Sequence, residues 1–220
     1  GIYVSVMLFD GWGIGGYTQN DYERAWRGHP FHASNNINGI NGDPNGDGRG
    51  LEVHSLSIPA ITSYHQAFIR KLVDTVNDLD NVLYEIANES FGAGNKDWQY
   101  SLINYIKSYE AGKPRRHPVG MTIFEDGAGG WSNNAALFSS PADWISPTSN
   151  GDPNYMSNPP AATGSKVILL DTDHLWGVGG DRTWVWKSFV RGYNPLFMDP
   201  IHFGQPNSVG QSFVAHTAGI

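Results

Sequence analysis

The feature that most constrains this chain is a recurrence of short apolar runs, each ending on a polar or acidic residue. Residues 2–9 (IYVSVMLF) end at Asp10, and residues 82–87 (VLYEIA) end at Asn88-Glu89. Residues 119–124 end at Glu125, 143–146 at Ser146, 167–170 at Asp171-Thr172-Asp173, and 195–198 at Asp199. Runs of this length, rich in β-formers, read as buried strands. Helical patterns or long crossovers separate them, which indicates a parallel α/β sheet. In such folds the carboxyl ends of the strands form the binding face, and in a barrel they converge on one mouth. An open nucleotide-binding sheet would carry a Gly-rich phosphate turn leading into a helix. The stretch Asp10-Gly-Trp-Gly-Ile-Gly-Gly16 has no helical pattern behind it, so the expected fold is an incomplete (β/α)8 barrel of TIM type. It is a single domain over 1–220 with about six parallel strands.

The chain has 220 residues, 40% of them hydrophobic and 16% charged, enough for one globular core. Eight Trp, ten Tyr and ten Phe exceed what that core needs, so some are expected to line a surface. A net charge of −7 argues against nucleic acid or an anionic membrane as partner, and no run reaches the length of a membrane span. With no Cys, disulfides, thiolate nucleophiles and Cys-ligated metals are excluded. The first strand-like run begins beside Gly1, with neither Met nor a leader. We read the chain as truncated at both ends, from a protein expected to be secreted or periplasmic.

Between the runs, Ser63 with Gln66 fits a capping box, and Phe68, Leu72, Val76 and Leu79 follow at helical spacing. That predicts a helix over 63–78. A second helix is expected over 97–111, with Trp98, Leu102, Ile106 and Tyr109 as its apolar stripe, a third around 134–138, and a fourth over 182–191 capped by Asp181. The polar, Gly- and Asn-rich region from Gly13 to Pro59 is too long for an ordinary connection and is expected to be functional or disordered.

The most informative stretch is Tyr84-Glu-Ile-Ala-Asn-Glu89. It resembles the fourth-strand motif of the clan A glycoside hydrolases, the cellulase-like (β/α)8 enzymes. The resemblance implies that Glu89 is the catalytic acid/base and that Asn88 binds the sugar 2-hydroxyl. It also implies a second carboxylate at the end of the seventh strand. Counting from the motif, 2–9 becomes the third strand, 167–173 the seventh and 195–198 the eighth, with the first two strands and last helix outside this chain. Clan members use Glu at the second carboxylate, whereas this chain offers Asp171 and Asp173. Asp173 is favoured because it lies further out, with Asp171 supporting it or touching the sugar, and Glu125 is the reserve.

Hydrolysis needs one carboxyl group to protonate the leaving oxygen and another to attack, or to activate water. An Asp is one methylene shorter than Glu, which leaves room for water and inclines the expectation towards inversion. Strict alternation would put Asn88 and Glu89 on opposite faces, so the strand must bulge or end there if both serve the site. Trp12, Trp131, Trp176 and His174 are candidates for stacking on or hydrogen-bonding a pyranose, and Asp199 for binding it. Glu85, in mid-strand, needs a partner once buried, and Arg182 is the candidate.

Asp43-Pro-Asn-Gly-Asp-Gly48 matches the start of a calcium loop, with Asp43, Asn45 and Asp47 as ligands to a structural calcium ion. The twelfth position is His54, and Glu52 comes two residues early. No cofactor is required for the proposed chemistry, and the expected partner is a carbohydrate. Two alternatives remain: a non-catalytic sugar-binding barrel, and a metal-dependent hydrolase built on Asp171, Asp173 and His174.

Overall fold

The computed structural model of this chain describes residues 1–15, 25–127, 134–175 and 182–196. Six strands form one parallel sheet in sequence order: β1 (Val4–Asp10), β2 (Val82–Asn88), β3 (Val119–Met121), β4 (Trp144–Ile145), β5 (Val167–Asp171) and β6 (Asn194–Leu196). All five pairings are parallel, and the sheet curls into a half-barrel with helices on its outer side. The expected runs are therefore parallel neighbours. The run at 119–124 is shorter as a strand, ending at Met121, with Phe124 making only an isolated bridge to Ser90.

Helices α1 (Pro59–Val76), α2 (Asn95–Glu110), α3 (Asn134–Ser139), α4 (Asn154–Ser157) and α5 (Arg182–Val190) fill the crossovers. Helix α1 begins four residues earlier than the capping box suggests. Pro59 supplies the preset φ of the first turn, and Ser63 Oγ donates back to the Pro59 carbonyl at 3.0 Å rather than capping. Its buried face is Ile61, His65, Ile69 and Val73, while Phe68 is 45% exposed and Leu72 and Val76 are partly buried. The stripe is turned by about one residue because α1 packs on α2, while Ile69 and Val73 join the core with Leu8 and Val82 and His65 meets Phe9 of β1. In α2 three of the four expected stripe residues, Trp98, Leu102 and Ile106, are fully buried, joined by Ile103, while Tyr109 is only partly buried with its hydroxyl on Asp74. Each such aliphatic side chain contributes roughly 1.5–3 kcal/mol by leaving water.

At the amino end of the sheet a buried polar network fastens α2 to the strands. Glu110 Oε1 accepts from the Tyr84 hydroxyl at 3.0 Å and from Asn77 Nδ2 at 3.1 Å. It also lies 2.7 Å from His117 Nδ1, while Glu110 Oε2 accepts the His117 backbone N–H. Burial and the neighbouring carboxylate raise the Tyr84 hydroxyl pKa, so it serves as a donor. The network lies away from the strand ends that carry the candidate chemistry.

In the long region between β1 and α1, the described residues 25–58 are folded rather than open. Ile14, Trp26, Val53 and Ile61 form a small second core, with Phe31, Ile40 and Ile58 against it. Its polar sequence reflects Asx turns around that core, for example Asn36 Oδ1 accepting from the N–H groups of Asn38 and Ile40.

Candidate active site

Strand β2 ends at Asn88, and the chain turns sharply at Glu89, whose φ of 42° is the one positive value at a non-glycine among the described residues. Left-handed backbone costs an L-residue roughly 1–3 kcal/mol and persists where its surroundings over-determine it. Two features do so here. Gly11 packs so closely that a Cβ there would meet the Glu89 carbonyl oxygen at 1.9 Å. On the other side Ser90, fully buried, is anchored through its hydroxyl to His54 Nδ1 at 2.7 Å and receives Asn95 Nδ2 at 2.6 Å. The Ser90 carbonyl also accepts the Glu125 N–H at 2.9 Å. The strand thus ends where Asn88 and Glu89 must share the site, as alternation requires.

The turn delivers Glu89 to Trp12, which donates its indole N–H to Glu89 Oε2 at 2.7 Å. Trp12 is positioned in turn by Asp10, whose Oδ1 accepts the Trp12 backbone N–H at 3.2 Å and Asn88 Nδ2 at 3.4 Å. Trp12 is therefore a hydrogen-bond donor to the carboxylate, and 46% of it stays exposed.

Facing this group, the end of β5 provides Asp171, Asp173 and His174. Asp171 Oδ1 accepts the Asp173 backbone N–H at 2.9 Å, a turn that aims Asp173 outward. Burial raises the Asp171 pKa. His174 is 8% exposed and its Nδ1 lies 3.0 Å from Ser146 Oγ, at the end of β4. Burial lowers the His174 pKa, and the charges of Asp173 and Glu89 partly oppose that. One carboxylate oxygen each of Glu89 and Asp173 and one ring nitrogen of His174 all lie within 4.8 Å of one another. Two strand ends distant in sequence, those of β2 and β5, thus meet at one point.

A cavity of about 300 Å³ opens below this cluster, lined by Glu85, Asn88, Thr122, Ser146, Asp171 and Asp173 among others. Glu85 and Asn88 are three residues apart yet line the same cavity, so alternation in β2 breaks between them. Glu85 needs no cation. Thr122 Oγ1 donates to its Oε1 at 3.1 Å, and burial pushes its carboxyl up to about 7. Glu85 makes no ion pair among the described residues, so the expected pairing with Arg182 is not formed.

Glu125 follows β3 on the neighbouring loop, but it neither joins the cluster nor lines the cavity. Trp131, Trp176, Asp181 and Asp199 lie outside the described residues. The Trp12–Glu89 bond, the Ser146–His174 bond and the Thr122–Glu85 bond join residues with no common sequence pattern.

In the loop at 43–48, Asp43 Oδ2 accepts the Gly48 N–H at 2.9 Å, Asn45 Oδ1 the Asp47 N–H at 2.8 Å, and Asp47 Oδ1 the Arg49 N–H at 2.9 Å. Glu52 approaches the same loop: burial and the charges of Asp47 and Asp43 raise its pKa. Asp43 Oδ1 and Glu52 Oε2 are buried without hydrogen-bond partners among the described residues. His54, at the twelfth position, is buried in the core against Ser90 and Trp98. Comparison of the chain with protein-family models, with curated proteins and with solved structures returned no match.

Proposed function

We propose that this chain is the catalytic part of a (β/α)8 glycoside hydrolase that cleaves O-glycosidic bonds of an oligo- or polysaccharide. The observation that carries the reading is the approach of Glu89, at the end of β2, to Asp173, beyond β5. Glu89 Oε1 is left to carry the proton for the leaving oxygen while Trp12 holds Oε2. Asp173 attacks the anomeric carbon, and water then displaces it with Glu89 acting as base. One carboxylate oxygen of each residue lies within 4.8 Å of the other, an approach that accommodates direct attack by Asp173. Glu89→Gln, which keeps shape and removes the transferable proton, should abolish turnover of aryl glycosides and leave sugar binding intact. Asp173→Ala should be rescued by azide entering the vacated space. Substantial turnover by the Gln variant would remove Glu89 from this role.

A second reading rests on the same cluster. Glu89, Asp173 and His174 are a donor set that suits a divalent cation such as zinc, which would make the site a metal-dependent hydrolase. Chelator-resistant activity would exclude it.

Separately, Asp43, Asn45, Asp47 and Glu52 are proposed to hold a structural calcium ion, with Glu52 in place of the twelfth-position ligand. Calcium should raise the melting temperature, and Asp43→Ala combined with Asp47→Ala should cancel the rise. An unchanged melting temperature in metal-free protein would return the loop to a plain turn.

A further inference from the structure

One layer below the carboxylates, Glu85, Gly120 and Trp144 lie side by side in register across β2, β3 and β4. Gly120 leaves space that the Trp144 indole occupies: a Cβ on Gly120 would meet Trp144 Cε2 at 1.8 Å. Trp144 lines the cavity, is 3% exposed, and has a buried Nε1 with no hydrogen-bond partner among the described residues. An indole N–H left unpaired in the interior is costly, because its water has been lost and nothing replaces it. A donor open on a cavity wall offers a hydrogen bond to an acceptor that arrives with a ligand.

The rest of the lining narrows what that ligand is. Glu85 presents a second polar group in the same layer, held by Thr122 on one oxygen only. Asp171 and Asp173 stand above, and no Lys or Arg lines the cavity among the described residues. An anionic group would be repelled by these carboxylates. A metal cation would meet the positive end of the Trp144 N–H. An uncharged oxygen-bearing group satisfies both. At about 300 Å³ the space is at the small end of ligand pockets, enough for part of one molecule.

We infer that this cavity is a specificity pocket for a neutral hexopyranose, taking its exocyclic hydroxymethyl arm with Trp144 Nε1 donating to the arm's oxygen. The inference rests on the glycosidase reading for the ring's position at Glu89 and Asp173, but its binding test does not need turnover. Wild-type protein and Trp144→Phe are compared on aryl hexopyranosides of several configurations and on the matching pentopyranosides, which lack the arm. The variant should lose about tenfold in kcat/KM on the preferred hexoside, the worth of one buried hydrogen bond, and nothing on its pentoside. Equal losses on both, or no loss on either, would overturn the pocket.

Should no aryl glycoside be cleaved, the glycosidase reading fails and the pocket is judged by binding alone. Saturation-transfer NMR with methyl hexosides and methyl pentosides then applies. Wild-type preference for a hexoside, abolished in Trp144→Phe, upholds the pocket. A wild-type protein that does not distinguish the two sugar classes overturns it, whether or not the Phe variant folds.

Discussion

Replacing Glu85 by Gln should stabilise this protein strongly at pH 8 and only about a third as much at pH 5. Glu85 is 9% exposed, receives one hydrogen bond from Thr122, and its carboxyl is raised from 4.5 to about 7, first by burial and then by the Asp171 and Asp10 charges. A carboxyl raised in the folded state contributes stability that is fully present below the unfolded pKa. That stability is lost as pH rises through the folded value. Here the window runs from about 4.5 to about 7. At about 1.4 kcal/mol per unit, the shift amounts to about 3 kcal/mol of lost stability at pH 8 and about 1 kcal/mol at pH 5. Gln keeps the volume and an oxygen for Thr122 but does not titrate, so the variant should gain those amounts. Urea unfolding of both proteins at pH 5 and pH 8 isolates the effect, because titrating groups not coupled to Glu85 cancel in the difference, leaving it and its neighbours Asp171 and Asp10. An equal gain at both pH values, or a loss at pH 8, would refute the assignment of a buried protonated Glu85.

Three further outcomes follow from particular contacts. Gly11→Ala puts a methyl group against the Glu89 carbonyl, which backbone cannot yield cheaply, so stability should fall by about 1–3 kcal/mol. Because that shift moves Glu89, kcat should fall about a hundredfold in the same variant, and normal kcat would show that the turn tolerates displacement. His65 accepts the Trp98 indole N–H, and burial together with the nearby His29 lowers its pKa to about 4. Its stability contribution is present above 6.5 and is lost as pH falls towards 4. His65→Gln should therefore remove about 2 kcal/mol of the stability difference between pH 7 and pH 5, measured by urea unfolding.

Much of the architecture is legible in sequence because it depends on local periodicity. Apolar runs at 2–9, 82–87 and 167–170 carry their own strand signal, and each must leave the sheet where a polar residue first needs water. For the same reason Asp10, Glu89 and Asp173 could be placed at strand ends without coordinates. The resemblance of Tyr84–Glu89 pointed to Glu89, and Asp173 was preferred to Asp171 by reach along the strand. The structure keeps Asp173 in the cluster and folds Asp171 back as the acceptor of its neighbour's N–H.

What the tertiary structure decided are contacts between segments that share no pattern. The buried face of α1 is set by α2 and the sheet together, which the helix's own periodicity cannot express. The polar sequence of 13–59 was compatible with an open loop, and only Trp26 meeting Val53 and Ile61 makes a core of the described residues there. Glu85 called for a cation on charge alone, yet the Thr122 hydroxyl and a carboxyl pushed up to about 7 by burial lessen the need. The positive φ of Glu89 cannot be read from its residue type, because it is imposed by Gly11 in the turn after β1 and by His54 and Asn95 through Ser90. Sequence determined which residues reach the strand ends. Only the packing of distant segments, where one backbone excludes another and one buried group satisfies another, decided which of them face each other.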